Sequence, residues 1–170
     1  MSLSMYQASI PVFIRMLTNL SECMKKGEAF ATAKNFPSEN LVNSRLAPDM
    51  FPFSRQIQIA TDVARRCAAR LAGVEPPSVE DNEKSMDELQ ARIQTSIDYL
   101  KGFKPEQIDG SENKALTVEI RKHKIDFTGQ QFLQYFALPN VYFHVTTAYN
   151  ILRHNDVDLG KPDYLGSLPE

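Results

Sequence analysis

Late in this 170-residue chain, Asn140 and His144 stand four residues apart. At helical spacing they share a face with Ala148 and Ile151, and that face is otherwise apolar. An imidazole and a carboxamide one turn apart on an inward stripe can meet a metal ion or a polar ligand inside a helix bundle. The plain alternative gives both groups to the fold. His144 is then a buried neutral ring bonded to Asn140, a glutamine or a tyrosine. Asn140 is then a satisfied amide beside Pro139, serving backbone groups that the proline frees.

Other side chains could join such a site. Gln56 and Gln58 carry amides on an earlier helix. Residues two apart point about 200° apart around a helix, so both cannot face one stripe. Gln56 lies one turn before Ala60 and so nearer the apolar stripe. Tyr6, Tyr135, Tyr142 and Tyr149 offer phenols, although most bundle tyrosines bury the ring and wet the hydroxyl. Asp49 reads either as a catalytic carboxylate or as a cap that orders the turn before the next helix. His123, flanked by Lys122 and Lys124, reads as a solvated turn residue. His154 closes the last helix, where a cation suits the dipole.

Cys23 and Cys67 lie far apart on apolar stripes with no CxxC spacing, the usage of buried, reduced thiols. No Gly-rich phosphate loop, HExxH or G-x-S-x-G sequence occurs. The formal net charge is −2, so no global field draws nucleic acid or an anionic membrane. The densest basic cluster, Arg65, Arg66 and Arg70 beside Asp62, reads as a solvated face. No run approaches about 18 uninterrupted apolar residues, so no membrane span is expected. The apolar N-terminus lacks a basic region and is interrupted by Pro11, Arg15 and Asn19, unlike a signal sequence. A cytoplasmic location follows as the expectation.

The elements that must position these residues are mostly helical. The first is expected from about Ser4 to the low thirties, with Phe13, Leu17, Leu20 and Met24 on its buried stripe and Pro11 as a kink or its first turn. Ser38 is placed to cap a short turn through Arg45. Phe53, Ile57, Ala60, Ala64, Cys67 and Leu71 mark a second long helix that stops at Gly73. Ser85-Met-Asp-Glu88 is a capping box opening a third, with Met86, Leu89, Ile93, Ile97 and Leu100 on one face. Leu116, Val118 and Ile120, then Ile125 and Phe127, alternate as a hairpin around an Arg121–Lys124 turn with His123 at its tip. Thr128-Gly-Gln-Gln131 caps a last helix to about His154, with a bend or break at Pro139. The tail from Asn155 reads as irregular, anchored by Tyr164 and Leu165. The whole, residues 1–170, is expected as one domain: an all-α antiparallel four-helix bundle with a small β-hairpin before the last helix.

The stretch Asn140-Val-Tyr-Phe-His144 and its continuation to Gly160 resembles the last helix of the DinB/YfiT-like superfamily. Met5–Phe13, Leu46-Ala-Pro-Asp-Met-Phe-Pro-Phe53 and Gly160-Lys-Pro-Asp-Tyr-Leu-Gly166 are similar to one branch of it, a domain of unknown function. The resemblance covers nearly the whole chain and implies a bundle, commonly dimeric, with a site inside one end. It also implies a divalent metal such as Zn²⁺ or Ni²⁺ held by three histidines, one on the second helix and an H-x-x-x-H pair on the last. Characterised relatives include thiol-dependent transferases and hydrolases. Here His144 matches the second member of the pair and Asn140 stands at the first. Gln56 or Gln58 stands where the second-helix histidine belongs, Gln58 fitting the alignment better. Neutral amides are weak ligands for such metals.

The leading expectation is therefore a metal-poor homodimeric protein binding a small molecule around Asn140, His144, a second-helix glutamine and Tyr6. Two alternatives are a divalent-metal-dependent thiol transferase or hydrolase using His144, and a structural dimerisation module.

Overall fold

The computed structural model describes residues 3–120 and 122–168. Helix α1 spans Met5–Ala33 and opens on a capping box of Ser4 and Gln7. Pro11 therefore lies inside the helix and not at its first turn. A short α2, Glu39–Asn43, follows, but the Ser38 side chain makes no capping bond to it. Helix α3 is Phe53–Ala72 and ends at Gly73, whose φ of 78° is the left-handed C-terminal stop that glycine allows. Helix α4 is Met86–Lys101, opened by the expected Ser85–Glu88 box. The four-residue α5, Pro105–Ile108, precedes the hairpin.

Strands β1 (Ala115–Ile120) and β2 (His123–Thr128) pair antiparallel from Ala115↔Thr128 to Ile120↔His123. His123 is the first residue of β2, exposed at the tip end of the hairpin where it pairs with Ile120; Arg121 lies outside the described residues. Val118 is the hairpin's buried residue. The Thr128–Gln131 box then opens α6, Gly129–Gln131.

The expected break at Pro139 is replaced by a change of helical pitch. Residues Phe132–Ala137 form a π-helical segment that runs directly into α7, Leu138–His154. The Leu138 amide donates to the Leu133 carbonyl, five residues back. The Asn140 side-chain amide donates to the Phe136 carbonyl at 2.7 Å. The wider turn accommodates the residue that has no N–H to give, so the helix continues.

The tail is more ordered than its composition suggests. It forms α8, Lys161–Leu165, against α1. Arg15 donates to the carbonyls of Leu165 and Ser167, and Asn19 to that of Tyr164.

Side-chain pairings give the helix directions. Ser21 meets Gln90 while Tyr6 meets Asp109, so α1 and α4 are antiparallel. His144 meets Gln56 while Phe132 lies under Arg70, so α3 and α7 are antiparallel. Arg92 bonds Thr61, and the chain after α4 reaches the far end of α3, where Lys114 bonds the Leu71 carbonyl. Helices α3 and α4 therefore run the same way, and the bundle reads up, down, down, up. The segment after Gly73 travels back along α3 to make this possible. One core runs through the bundle, with Phe13, Phe53, Phe132 and Leu20 fully buried. No helix among the described residues is long and apolar enough to cross a membrane.

Candidate functional site

His144 projects from the second turn of α7 toward the first turn of α3. Its Nδ1 lies 2.7 Å from Gln56 Oε1. The Gln56 Nε2 donates in turn to the Phe51 carbonyl at 3.0 Å. An amide oxygen can only accept, so this pairing puts the proton on Nδ1 and leaves the lone pair on Nε2. The ring forms one wall of a cavity of about 180 Å³, with Asp49, Met50, Phe51, Gln56 and Phe143. Phe143 stands edge-on to the imidazole at 5.2 Å. Burial, with Arg55 nearby, pushes the His144 pKa down to about 4. The ring is accordingly neutral at physiological pH, with Nε2 able to accept a hydrogen bond.

Of the residues singled out from the sequence, the structure brings His144 and Gln56 together. Gln58 is also buried, at 5% exposed, although residues two apart cannot face one stripe. Helix α3 is covered on two sides, by α7 and by α4 with the returning 74–85 segment. Gln56 faces the first, and Gln58 faces the second, donating to Glu83 and accepting from Arg55. Asn140 is half-buried and turned to the Phe136 carbonyl, away from the cavity lining. Tyr6 sits at the opposite end of α3, its amide bonded to Asp109. Tyr135 is exposed, and Tyr149 packs edge-on against Tyr164. Asp49 does not cap α3, which begins after Pro52 with no side-chain cap. It stands at the cavity mouth instead. Phe51 and Phe143 also line the cavity; the Pro-Asp-Met-Phe-Pro loop marks Phe51 in the sequence, and Phe143 is marked only by its place next to His144.

A three-histidine metal site does not fit these side chains. Both polar atoms of Gln56 are engaged, Asn140 serves the backbone, and Gln58 faces away. Among the described residues, no three His, Cys, Asp or Glu side chains are grouped to hold an ion. Both cysteines are buried, and burial pushes their thiols up, Cys23 to about 11, so neither is an activated nucleophile.

A second constellation lies on the other side of α3 and was not foreseen. The Arg92 side chain, 2% exposed, bonds Asp62, Asp81 and Glu83 as well as Thr61. Arg65 shares Asp62, and Arg55 pairs with Asp81. The basic cluster read as a solvated face is thus partly interior: Arg65 is buried, Arg70 half-buried and Arg66 exposed.

The up-down-down-up bundle, with one histidine of the last helix turned to the second long helix, defines a DinB-like protein. It is similar to the crystal structure of a DinB family member protein from Shewanella denitrificans, at 40% identity with a TM-score of 0.88. The match covers 97% of this chain and 93% of that one. The chain belongs to the family described as domain of unknown function DUF1993, whose model matches residues 5–165. No curated protein matches it.

Proposed function

We propose that this DinB-like protein binds a small, uncharged aromatic ligand in the cavity beside His144. The supporting observation is the Phe51–Gln56–His144 chain of hydrogen bonds, which holds an acceptor nitrogen at a concave, partly apolar surface. A ligand donor such as a phenolic hydroxyl would bond Nε2, and its ring would lie between Phe51 and Phe143.

Phenol and anisole distinguish a ligand site from a passive gap, because only phenol donates. In a nitrogen-15 NMR titration, phenol is expected to shift the His144 Nε2 resonance and anisole to leave it in place. Equal responses, or a phenol response that survives His144→Ala, would overturn the proposal. Metal content by mass spectrometry adds an independent check. One Zn²⁺ or Ni²⁺ per chain, lost in His144→Ala, would replace this reading with a metal-dependent transferase or hydrolase.

Association into a homodimer is the second reading. It is favoured by the large aromatics exposed at Phe51, Tyr135 and Phe143 around the π-segment, α7 and the cavity mouth. Sedimentation equilibrium of the protein and of Phe143→Asp tests it, with a dimer expected only for the former.

A further inference from the structure

A cleft lies between α3, the hairpin and the π-helical segment, and its lining shares no residue with the His144 cavity. Its volume is about 370 Å³, in the range of small-molecule sites. Its floor is apolar: Val63 of α3, Val118 of β1, and Phe132 and Phe136 of the π-segment. Phe132 and Phe136 stack at 5.4 Å, four residues apart, a spacing that puts both on one helical face.

The rim carries Arg55, Arg66 and Arg70 beside Asp62, Asp81 and Glu119, and its charges are unevenly paired. Arg66 and Arg70 lie four residues apart on α3, so two guanidinium groups share one face, a repulsive spacing. The nearby carboxylates are shared among several arginines, none of them Arg70. Asp62 Oδ1 accepts from both Arg65 and Arg92, and its Oδ2 makes a longer, partly exposed pair with Arg66 at 3.5 Å. Asp81 accepts from Arg92 and Arg55. Glu119 also lines the cleft, but it is exposed and stands directly across the hairpin from Lys124. Arg70 makes no ion pair among the described residues, although Glu75 acts on it from a distance. Its guanidinium lies 5.5 Å from the centre of the Phe132 ring. Burial and the neighbouring Arg66 both act against its charge.

We infer that this cleft binds a small amphipathic carboxylate, its anionic group held between Arg66 and Arg70 and its apolar body on Val118, Phe132 and Phe136. An anion between the two arginines removes their mutual repulsion. A carboxylate offers the two-oxygen acceptor that a guanidinium matches best. The apolar floor is too large for an inorganic anion to cover. This site is independent of the His144 cavity and of any ligand there.

Octanoate and 1-naphthoate are suitable probes, each compared with its uncharged amide by isothermal titration calorimetry on the full chain. At least one carboxylate is expected to bind saturably, and roughly tenfold more tightly than its amide, as expected for a charge-assisted bond on a half-buried arginine. Arg70→Gln is expected to remove that tenfold preference. Arg66→Gln, at an exposed position that tolerates change, is expected to weaken it in the same direction. His144→Ala is expected to bind as the parent does. Failure of both carboxylates to bind overturns the inference. So does equal binding of acid and amide, or binding that Arg66→Gln leaves unchanged. Loss of binding in His144→Ala would place the ligand in the other cavity and also overturn it.

Discussion

At the scale of single residues, the Gln56–His144 contact decides what the candidate site can do. Gln56 accepts from Nδ1, so the imidazole keeps one tautomer and stays neutral. Its pKa of about 4 lies below the ordinary 6.5, and a histidine depressed in this way binds its proton more readily when unfolded. Its contribution to stability is therefore complete above pH 6.5 and is lost as pH falls toward 4. The loss is on the order of 2–3 kcal/mol. Proton NMR of the His144 ring is expected to show no titration between about pH 8 and 5.5; a midpoint above 6 would contradict the buried, Gln56-bonded state. Gln56→Glu offers the opposite sign. A carboxylate at this distance favours the imidazolium and is expected to raise the His144 midpoint by about one to three units. No change on that substitution would show that residue 56 does not contact the ring.

At the scale of elements, the most constraining approach is the one between α6 and the loop after α5. A methyl group on Gly129 would overlap the Ser111 carbonyl oxygen, which is backbone and cannot rotate away. The same junction carries the Gln130 amide bond to the Glu112 carbonyl. Gly129→Ala is expected to destabilise the protein by about 3 kcal/mol, a fall in Tm of about 6–12 °C in a chain of this size. A thermal melt within about 2 °C of the parent would mean that the junction yields. Helix boundaries were readable because caps and apolar stripes are local: Ser85–Glu88, Thr128–Gln131 and Gly73 stand where their residue types require. The pitch change before Pro139 was not readable. Proline announces only that a donor is missing, and a kink, a break or a wider turn all answer that need. Asn140 illustrates the consequence for the site. Its spacing from His144 suggests a shared ligand, but the Phe136 carbonyl, one turn back on its own helix, is a nearer claim on its amide.

At the scale of the whole molecule, what escaped the sequence was helix direction, and with it the ionic cluster. Apolar stripes on α3 and α4 do not say whether the helices run together or opposed; the path of 74–85 settles that. Once this segment lies back along α3, its Asp81 and Glu83 face Arg55 and Arg92, and Gln58 becomes buried on a side that periodicity alone would expose. Burial acts to raise the Asp81 carboxyl, but Arg55 and Arg92 outweigh it and hold the group below its ordinary value. That contribution is present above about pH 4 and is lost as pH falls further. Arg92 joins α3, α4 and the crossover through Asp62, Asp81 and Glu83; its loss leaves Asp62 with Arg65 and Arg66 and Asp81 with Arg55, but strips the half-buried Glu83 of its cation. Breaking a buried pair from one side typically costs about 3–5 kcal/mol, far more than an exposed pair contributes. Arg92→Met preserves most of the side-chain volume and is expected to lower the urea midpoint by a stability loss of that size. Adding Glu83→Gln should recover part of it, since the carboxylate left without a cation is then neutral. If Arg92→Met alone unfolds with the parent's midpoint, the returning segment is held by its apolar contacts and its chain connection, and the ionic cluster does not determine the parallel course of α3 and α4.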